Sequence, residues 1–291
     1  MKLMNHTFCL ISLGYLAAAI TCTASEPAYV DIVALERNSQ AGDPSAQFEL
    51  GRAYYRGEVV PKNLQKAEDL LTKSAQGGNA EAMFGLGFLK MSGEAGPKDE
   101  NQAIEWFRKG ATAGSLKAKF NLGLMLRQGK TIQLSNDESL RMLHEAADGG
   151  LLEAQAYLGQ LYFTGDKLME RDRKLSYRFA REAAEAGEPA CQNIIGIFLR
   201  DGSDDPKIAK NRNEAIEWFR RSAEKGHAKG QSNLAHILGV ESPATTNRVE
   251  ALRWLLLARD QDEPLATRTY QQIAPTLPKD LIERAQKSIS Q

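Results

Sequence analysis

The sequence predicts an all-α protein: a right-handed α/α superhelix, or solenoid, of six helix–turn–helix repeats with capping helices at both ends. Two observations predict it. Three series of glycines recur with a period close to 36 residues, and small and large apolar residues recur between them at helical spacing. The first series runs Gly42, Gly78, Gly114, Gly150, Gly187 and Gly226. The second follows nine residues later, at Gly51, Gly87, Gly123, Gly159 and Gly196, with Ala235 in the sixth copy. The third lies six residues further on, at Gly57, Gly93, Gly129, Gly165 and Gly202. A fixed period of this size is the signature of a repeat array, in which each repeat packs only on its neighbours.

The first helix of each repeat, helix A, is read from Ala46, Leu50 and Tyr54, an i, i+4, i+8 stripe on one face. Gly51 and its equivalents fall inside that helix, where glycine costs about 1 kcal/mol relative to alanine. Five such glycines imply a steric need, the close approach of a partner helix. Gly57 and its equivalents fall where a helix end calls for a left-handed residue. Helix B follows: Ala67, Leu70 and Leu71 in the first repeat, then Ala103, Trp106 and Phe107, and then Ser139, Met142 and Leu143. The later copies read Ser176, Phe179 and Ala180, then Ala215, Trp218 and Phe219, and finally Ala251, Trp254 and Leu255. The small residue admits a neighbouring helix, and the large one three positions on fills the space between repeats. From that small residue to the next glycine the spacing is constant, so length variation is confined to the A–B loop.

The pattern Ala-x-x-x-Leu-Gly-x-x-Tyr-x-x-Gly, followed by Ala-x-x-Trp-x-x-x-Ala-Ala-x-x-Gly, resembles the Sel1-like repeat, a relative of the tetratricopeptide repeat. SAQFELGRAYYRG and EAQAYLGQLYFTG are similar to its first helix, and NEAIEWFRRSAEKG to its second. The departures are Lys90, where tyrosine is usual, and Gly230 and Ala235 in the last repeat. The repeats are placed at 42–77, 78–113, 114–149, 150–186, 187–225 and 226–260, a span of about three quarters of the chain.

The ends close the array. Residues 25–41 predict an N-terminal capping helix over PAYVDIVALERNSQ. Residues 261–291 predict two C-terminal capping helices, Pro264 to Ala274 and Pro278 to Ser290, each opening with proline at the first helical position. Residues 1–24 read as a signal peptide, with Lys2, an apolar run from Phe8 to Ile20, and small or polar residues from Thr21 to Ser25. Cleavage is placed after Ala24 or Ser25. The run is too short to span a bilayer comfortably, so no transmembrane segment is expected after cleavage. The residues before Cys22 match a lipobox poorly, which disfavours lipid anchoring. After cleavage Cys191 is the one remaining cysteine; it stands where other repeats carry alanine and reads as a small packed residue. No Asn-x-Ser/Thr sequon follows the leader, and together these features place the chain in a bacterial periplasm.

Lys plus Arg and Asp plus Glu are both 37, and this balance argues against a nucleic-acid partner. His6, His144, His227 and His236 have no zinc spacing with cysteine or with each other. Asp204-Asp205 and Asp260/Asp262/Glu263 read as solvated loops. No nucleophile elbow or phosphate loop occurs. No catalytic residue, metal or cofactor is therefore assigned. Some cysteine-rich proteins that resemble this chain in the repeat are linked to β-lactam binding or hydrolysis, but the cysteine pairs they carry are missing here. An envelope enzyme acting on a β-lactam or peptidoglycan-like substrate is the alternative reading.

The resemblance implies a scaffold that binds a protein or peptide on a concave face lined by helix A. Its candidate contacts are Phe48, Arg52 and Tyr55, then Phe84, Phe88 and Met91, then Phe120, Leu124 and Arg127. Further along they are Gln160, Phe163, Asn193, Ile197 and Arg200. Phe48, Phe84 and Phe120 are open to a structural role between helices. Truncating Phe88 and Arg127 together is expected to weaken partner capture and leave the melting temperature nearly unchanged.

Overall fold

The computed structural model describes residues 32–128, 136–239 and 245–289. The leader, Cys22, His6, Gly129 and the first residues of the N-terminal cap lie outside them. The described residues contain fifteen α-helices and no β-strand. A capping helix α1 (Ile32–Gln40) precedes α2 (Pro44–Arg56) and α3 (Leu64–Gln76), the A and B helices of the first repeat. The second and third repeats are α4 (Ala80–Ser92) with α5 (Glu100–Thr112), and α6 (Leu116–Gln128) with α7 (Asn136–Asp148). The fourth and fifth are α8 (Leu152–Thr164) with α9 (Arg173–Glu185), and α10 (Pro189–Asp201) with α11 (Arg212–Glu224). The sixth is α12 (Ala228–Gly239) with α13 (Thr245–Arg259). The C-terminal cap is α14 (Pro264–Ile273), a 3₁₀ turn at Ala274–Thr276, and α15 (Lys279–Lys287). Pro264 opens α14 as expected, whereas Pro278 stands one place before α15, at its N-cap.

The chain divides into two compact units, at 154 and 155. Within each, helices pack on their neighbours in sequence, as in an α-solenoid. The B-to-A joints share one backbone plan, with a side-chain cap on the next helix except at Leu151, which has none to offer. In the first, Gly78 takes φ 88°, a left-handed conformation that lets the Asn79 N–H reach back to the Ser74 carbonyl at 3.1 Å. The Asn79 side chain then accepts from the Ala82 N–H at 2.9 Å and caps the next helix. One residue thus ends one helix and starts another, leaving no room for insertion. The A–B loops carry all the length variation instead. The longest described, after α10, is closed by paired backbone bonds between Ser203 and Ile208, at 2.9 and 2.7 Å.

The mid-helix glycines have the steric role that the sequence implies. A Cβ on Gly87 would lie 2.6 Å from the Phe107 ring, and one on Gly196 2.6 Å from the Phe219 ring. On Gly159 it would lie 2.8 Å from the Ala180 backbone nitrogen. The small helix-B residue strengthens the contact where it is serine: Ser139 Oγ donates to the Gly123 carbonyl at 2.7 Å, and Ser176 Oγ to that of Gly159 at 2.9 Å. The residue that covers the glycine is the one after the large position, Leu71, Phe107, Leu143, Ala180 or Phe219. Leu70 and Trp106 at the large position are only half-buried, while Phe179, Trp218 and Trp254 are buried. Cys191 is fully buried in the second unit, and burial pushes its thiol pKa well up, as fits a packed residue. Lys90 reaches back to Glu68 on helix B of the preceding repeat at 2.6 Å. At Gly230, where the second repeat has Ala82, a Cβ would meet Ser222 Oγ.

Candidate functional site

Among the described residues each unit has a hollow on its helix-A side, and the two differ in chemistry. In the first unit α2 and α4 enclose an open hollow of about 580 Å³. Its lining includes Phe48, Arg52, Tyr55, Phe84 and Phe88 among the candidate contacts, with Leu71 and Leu89. Gly85, outside all three glycine series, lies in the floor over the end of Leu71, which a Cβ there would approach to 3.3 Å. The Tyr55 and Phe88 rings meet edge to face at 6.2 Å. Tyr55 Oη donates to Glu94 at 3.1 Å. Burial, then the Glu94 charge and that hydrogen bond, push its phenol up to about 12. The cations at the mouth each meet a carboxylate: Arg52 with Glu49 at 2.6 Å, Arg56 with Glu58 at 3.7 Å, and Lys117 with Glu81 at 3.8 Å. The hollow is therefore aromatic and locally charge-balanced.

The other candidates of this unit sit deeper or farther along. Phe84 and Phe120 are buried, Phe84 stacked on Phe107 at 5.9 Å, so both serve the core. Leu124 is buried too, while Met91 and Arg127 are half-buried. Phe88 is only 7 % exposed. Truncating it would open a cavity at a cost of about 3–5 kcal/mol, so the expected constancy of the melting temperature on losing Phe88 does not hold.

In the second unit a groove of about 800 Å³ crosses α8, α10, α12 and the start of α14. Gln160, Phe163, Asn193 and Ile197 line it, with Ile194, His227, Lys229, Ser232, Glu263 and Leu265. Arg200 lies beside it, with its guanidinium on Asp201 at 2.7 Å and on Asn233 at 3.2 Å. Asn233 in turn donates to Asn193 at 2.8 Å. These partners come from different repeats, and the periodicity gave no signal for them. Nor was the role of His227 foreseen. It precedes α12, and its Nδ1 accepts from the Gly230 N–H at 3.1 Å, an imidazole standing in for the usual capping oxygen. Ser222 Oγ, also 3.1 Å from Nδ1, spends its proton on the Pro189 carbonyl at 2.7 Å. Nδ1 is thus an acceptor, and the ring is the neutral Nε2–H tautomer.

Burial, with the Lys229 charge second, pushes the His227 pKa down from 6.5 to about 4. The unfolded chain therefore binds the proton first as pH falls, and the stability that neutral His227 contributes is complete above pH 6.5. It is lost between about pH 6.5 and 4, a difference of about 3 kcal/mol at pH 4. His227→Asn retains a capping oxygen and does not titrate. Urea midpoints at pH 7 and pH 4 should fall more steeply for the parent than for His227→Asn; equal slopes would refute the assignment.

The acidic runs have structural work: Asp260 pairs with Arg259 at 2.6 Å, and Glu263 caps α14 through the Ala266 N–H at 2.7 Å. Among the described residues no group of three or more His, Cys, Asp or Glu is placed to hold a metal ion. No described helix is long and apolar enough to cross a membrane.

A family model described as the Sel1 repeat matches six segments: 44–79, 80–115, 116–151, 152–188, 189–227 and 228–263. Each begins about two residues after the boundary read from the glycines. None of the curated proteins matches the sequence. Among solved structures, c5321, a protective antigen of uropathogenic Escherichia coli strains displaying an SLR fold, is similar at 28% identity and TM-score 0.74. The match covers 88% of this chain and 54% of that one, so the chain spans about half the length of the Escherichia coli protein. A Sel1 repeat protein from Oxalobacter formigenes is similar at 26% identity and TM-score 0.65, over 82% of this chain and 68% of that one.

Proposed function

The chain belongs to the Sel1 repeat family, and from that membership we propose that it is a non-catalytic scaffold of the bacterial periplasm or envelope, holding a protein or peptide on its helix-A faces. Proteins of this repeat commonly serve protein–protein interaction. The observation that carries the reading is the hollow of the first unit. Phe48 and Tyr55 offer apolar surface to solvent between two well-packed helices, and Gly85 keeps the floor open. An apolar hollow between rigid helices suits the anchor side chain of an amphipathic or extended segment. Export rests on the order of charge, apolar run and small residues in the first 25 positions.

The test is a photocrosslink. Benzoylphenylalanine replaces Arg52, exposed at the mouth, or Lys73, exposed on helix α3 away from the hollow. The chain is expected in the osmotic-shock fraction, with a discrete protein adduct from position 52 and none from 73. Equal adducts from both positions, or none from 52, would sink the helix-A assignment, and retention in the cytoplasm would sink the location.

A further inference from the structure

The groove of the second unit differs from the hollow of the first in one respect: its polar side presents hydrogen-bond donors that the protein leaves unused. Their orientation follows from a chain of three side chains. Arginine can only donate, so the Arg200 contact at 3.2 Å fixes Oδ1 of Asn233 toward it. The Nδ2 of Asn233 then faces Asn193 and donates to its Oδ1 at 2.8 Å. The Asn193 oxygen is thereby turned toward Asn233, and its own amide N–H groups have no partner among the described residues, although the residue is only 5 % exposed. Ser232, 4 % exposed and occupying on α12 the place that Asn193 has on α10, likewise makes no side-chain hydrogen bond. Among the described residues the Nε2–H of His227, fixed by the cap, is also without a partner, and Lys229 forms no ion pair. All four residues line the same groove. These donor atoms open onto the groove rather than being sealed in the core, so they can turn from water to an acceptor that arrives from outside.

We infer that this groove binds the C-terminal end of a partner polypeptide, taking the terminal carboxylate on Asn193, Ser232 and Lys229 and an apolar last side chain on Phe163, Ile197 and Leu265. The inference rests on the scaffold reading and names its ligand chemistry in the second unit. A carboxylate has acceptor sites for several donors at once, and Lys229 supplies the unmatched positive charge that complements it. The groove opens at the N-termini of α12 and α14, where the helix dipoles add to the preference for an anion. Glu263, the acidic group in the lining, is already engaged through Oε2 with the Ala266 N–H. The apolar residues lie on α8, α10 and α14, beside the donors, so the two halves of the site suit the two ends of one residue.

The full-length secreted chain is applied to an array of hexapeptides immobilised through their N-termini, bearing each of the twenty last residues as free acid or as amide. Retention is expected on free acids ending in leucine, isoleucine, methionine or phenylalanine. It should fall about tenfold or more on amidation, and by a similar factor with Lys229→Gln or Asn193→Leu. Lys229 is exposed, so its variant keeps the parent melting curve, which circular dichroism verifies. Equal retention of acids and amides, or retention unmoved by Lys229→Gln, would overturn the inference, as would an array that stays blank. If the array is blank while position 52 still crosslinks a partner, the scaffold reading survives and this site alone fails.

Discussion

Gly159→Ala is expected to lower the stability of the second unit by about 3 kcal/mol, near the top of the usual range for overpacking. At the other repeats the glycine faces a side chain that can move. Here the covering residue is Ala180, and the new Cβ would stand 2.8 Å from its backbone nitrogen and 2.9 Å from its Cα. No rotamer relieves that contact; α8 and α9 would have to separate, and the Ser176 hydroxyl would lose the Gly159 carbonyl it holds at 2.9 Å. The control is Gly85→Ala, where the Cβ meets only Leu71 methyls, at 3.3 and 3.5 Å, and Cγ at 4.0 Å. There the gain of up to about 1 kcal/mol in helix propensity offsets the crowding. Urea midpoints followed by circular dichroism compare the two. Equal losses would mean that the helix-A glycines act through backbone entropy rather than through close approach.

Phe219→Ala should cost about 3–5 kcal/mol, because the ring is fully buried and its removal leaves a cavity over Gly196. The same geometry predicts a change of sign. Alone, Gly196→Ala presses a methyl to within 2.6 Å of the Phe219 ring and destabilises. In the Phe219→Ala background that methyl enters the vacated space, and the second substitution becomes neutral or stabilising. A double-mutant cycle reads this coupling directly. Additive losses would show that the ring and the glycine do not share one contact.

The repeat register was legible because it rests on backbone necessities. A left-handed residue at Gly78 and a missing Cβ at Gly159 admit few substitutes, so they survive as letters in the chain. The capping residues Asp43, Asn79, Asp99 and Asp172 are equally plain, since each is a short polar residue before a helical stripe. Depth was harder to read. Phe84 and Phe48 occupy the same position of successive repeats, yet Phe84 is buried and Phe48 half-buried, because a repeat precedes α4 while only the cap α1 precedes α2. Burial in such an array depends on neighbours that the local pattern does not mention. The donors of the second groove were hidden for another reason. Asn193 was picked out by position alone; its link to Asn233 and Arg200 joins residues 40 and 33 places apart, at distances that no repeat period marks.

That link has a logic of its own. Each asparagine amide has an accepting end and a donating end, so a pair in series passes on an orientation, as two coupled compass needles would. Arg200 sets the first needle and Asn193 displays the second. An acidic residue in place of Arg200 would demand a donor from Asn233, turn both amides about, and leave Asn193 showing its oxygen to the groove. The ligand preference would then change from acceptor to donor although no residue lining the groove had been altered. Variation within this family can therefore retune a binding surface from behind it.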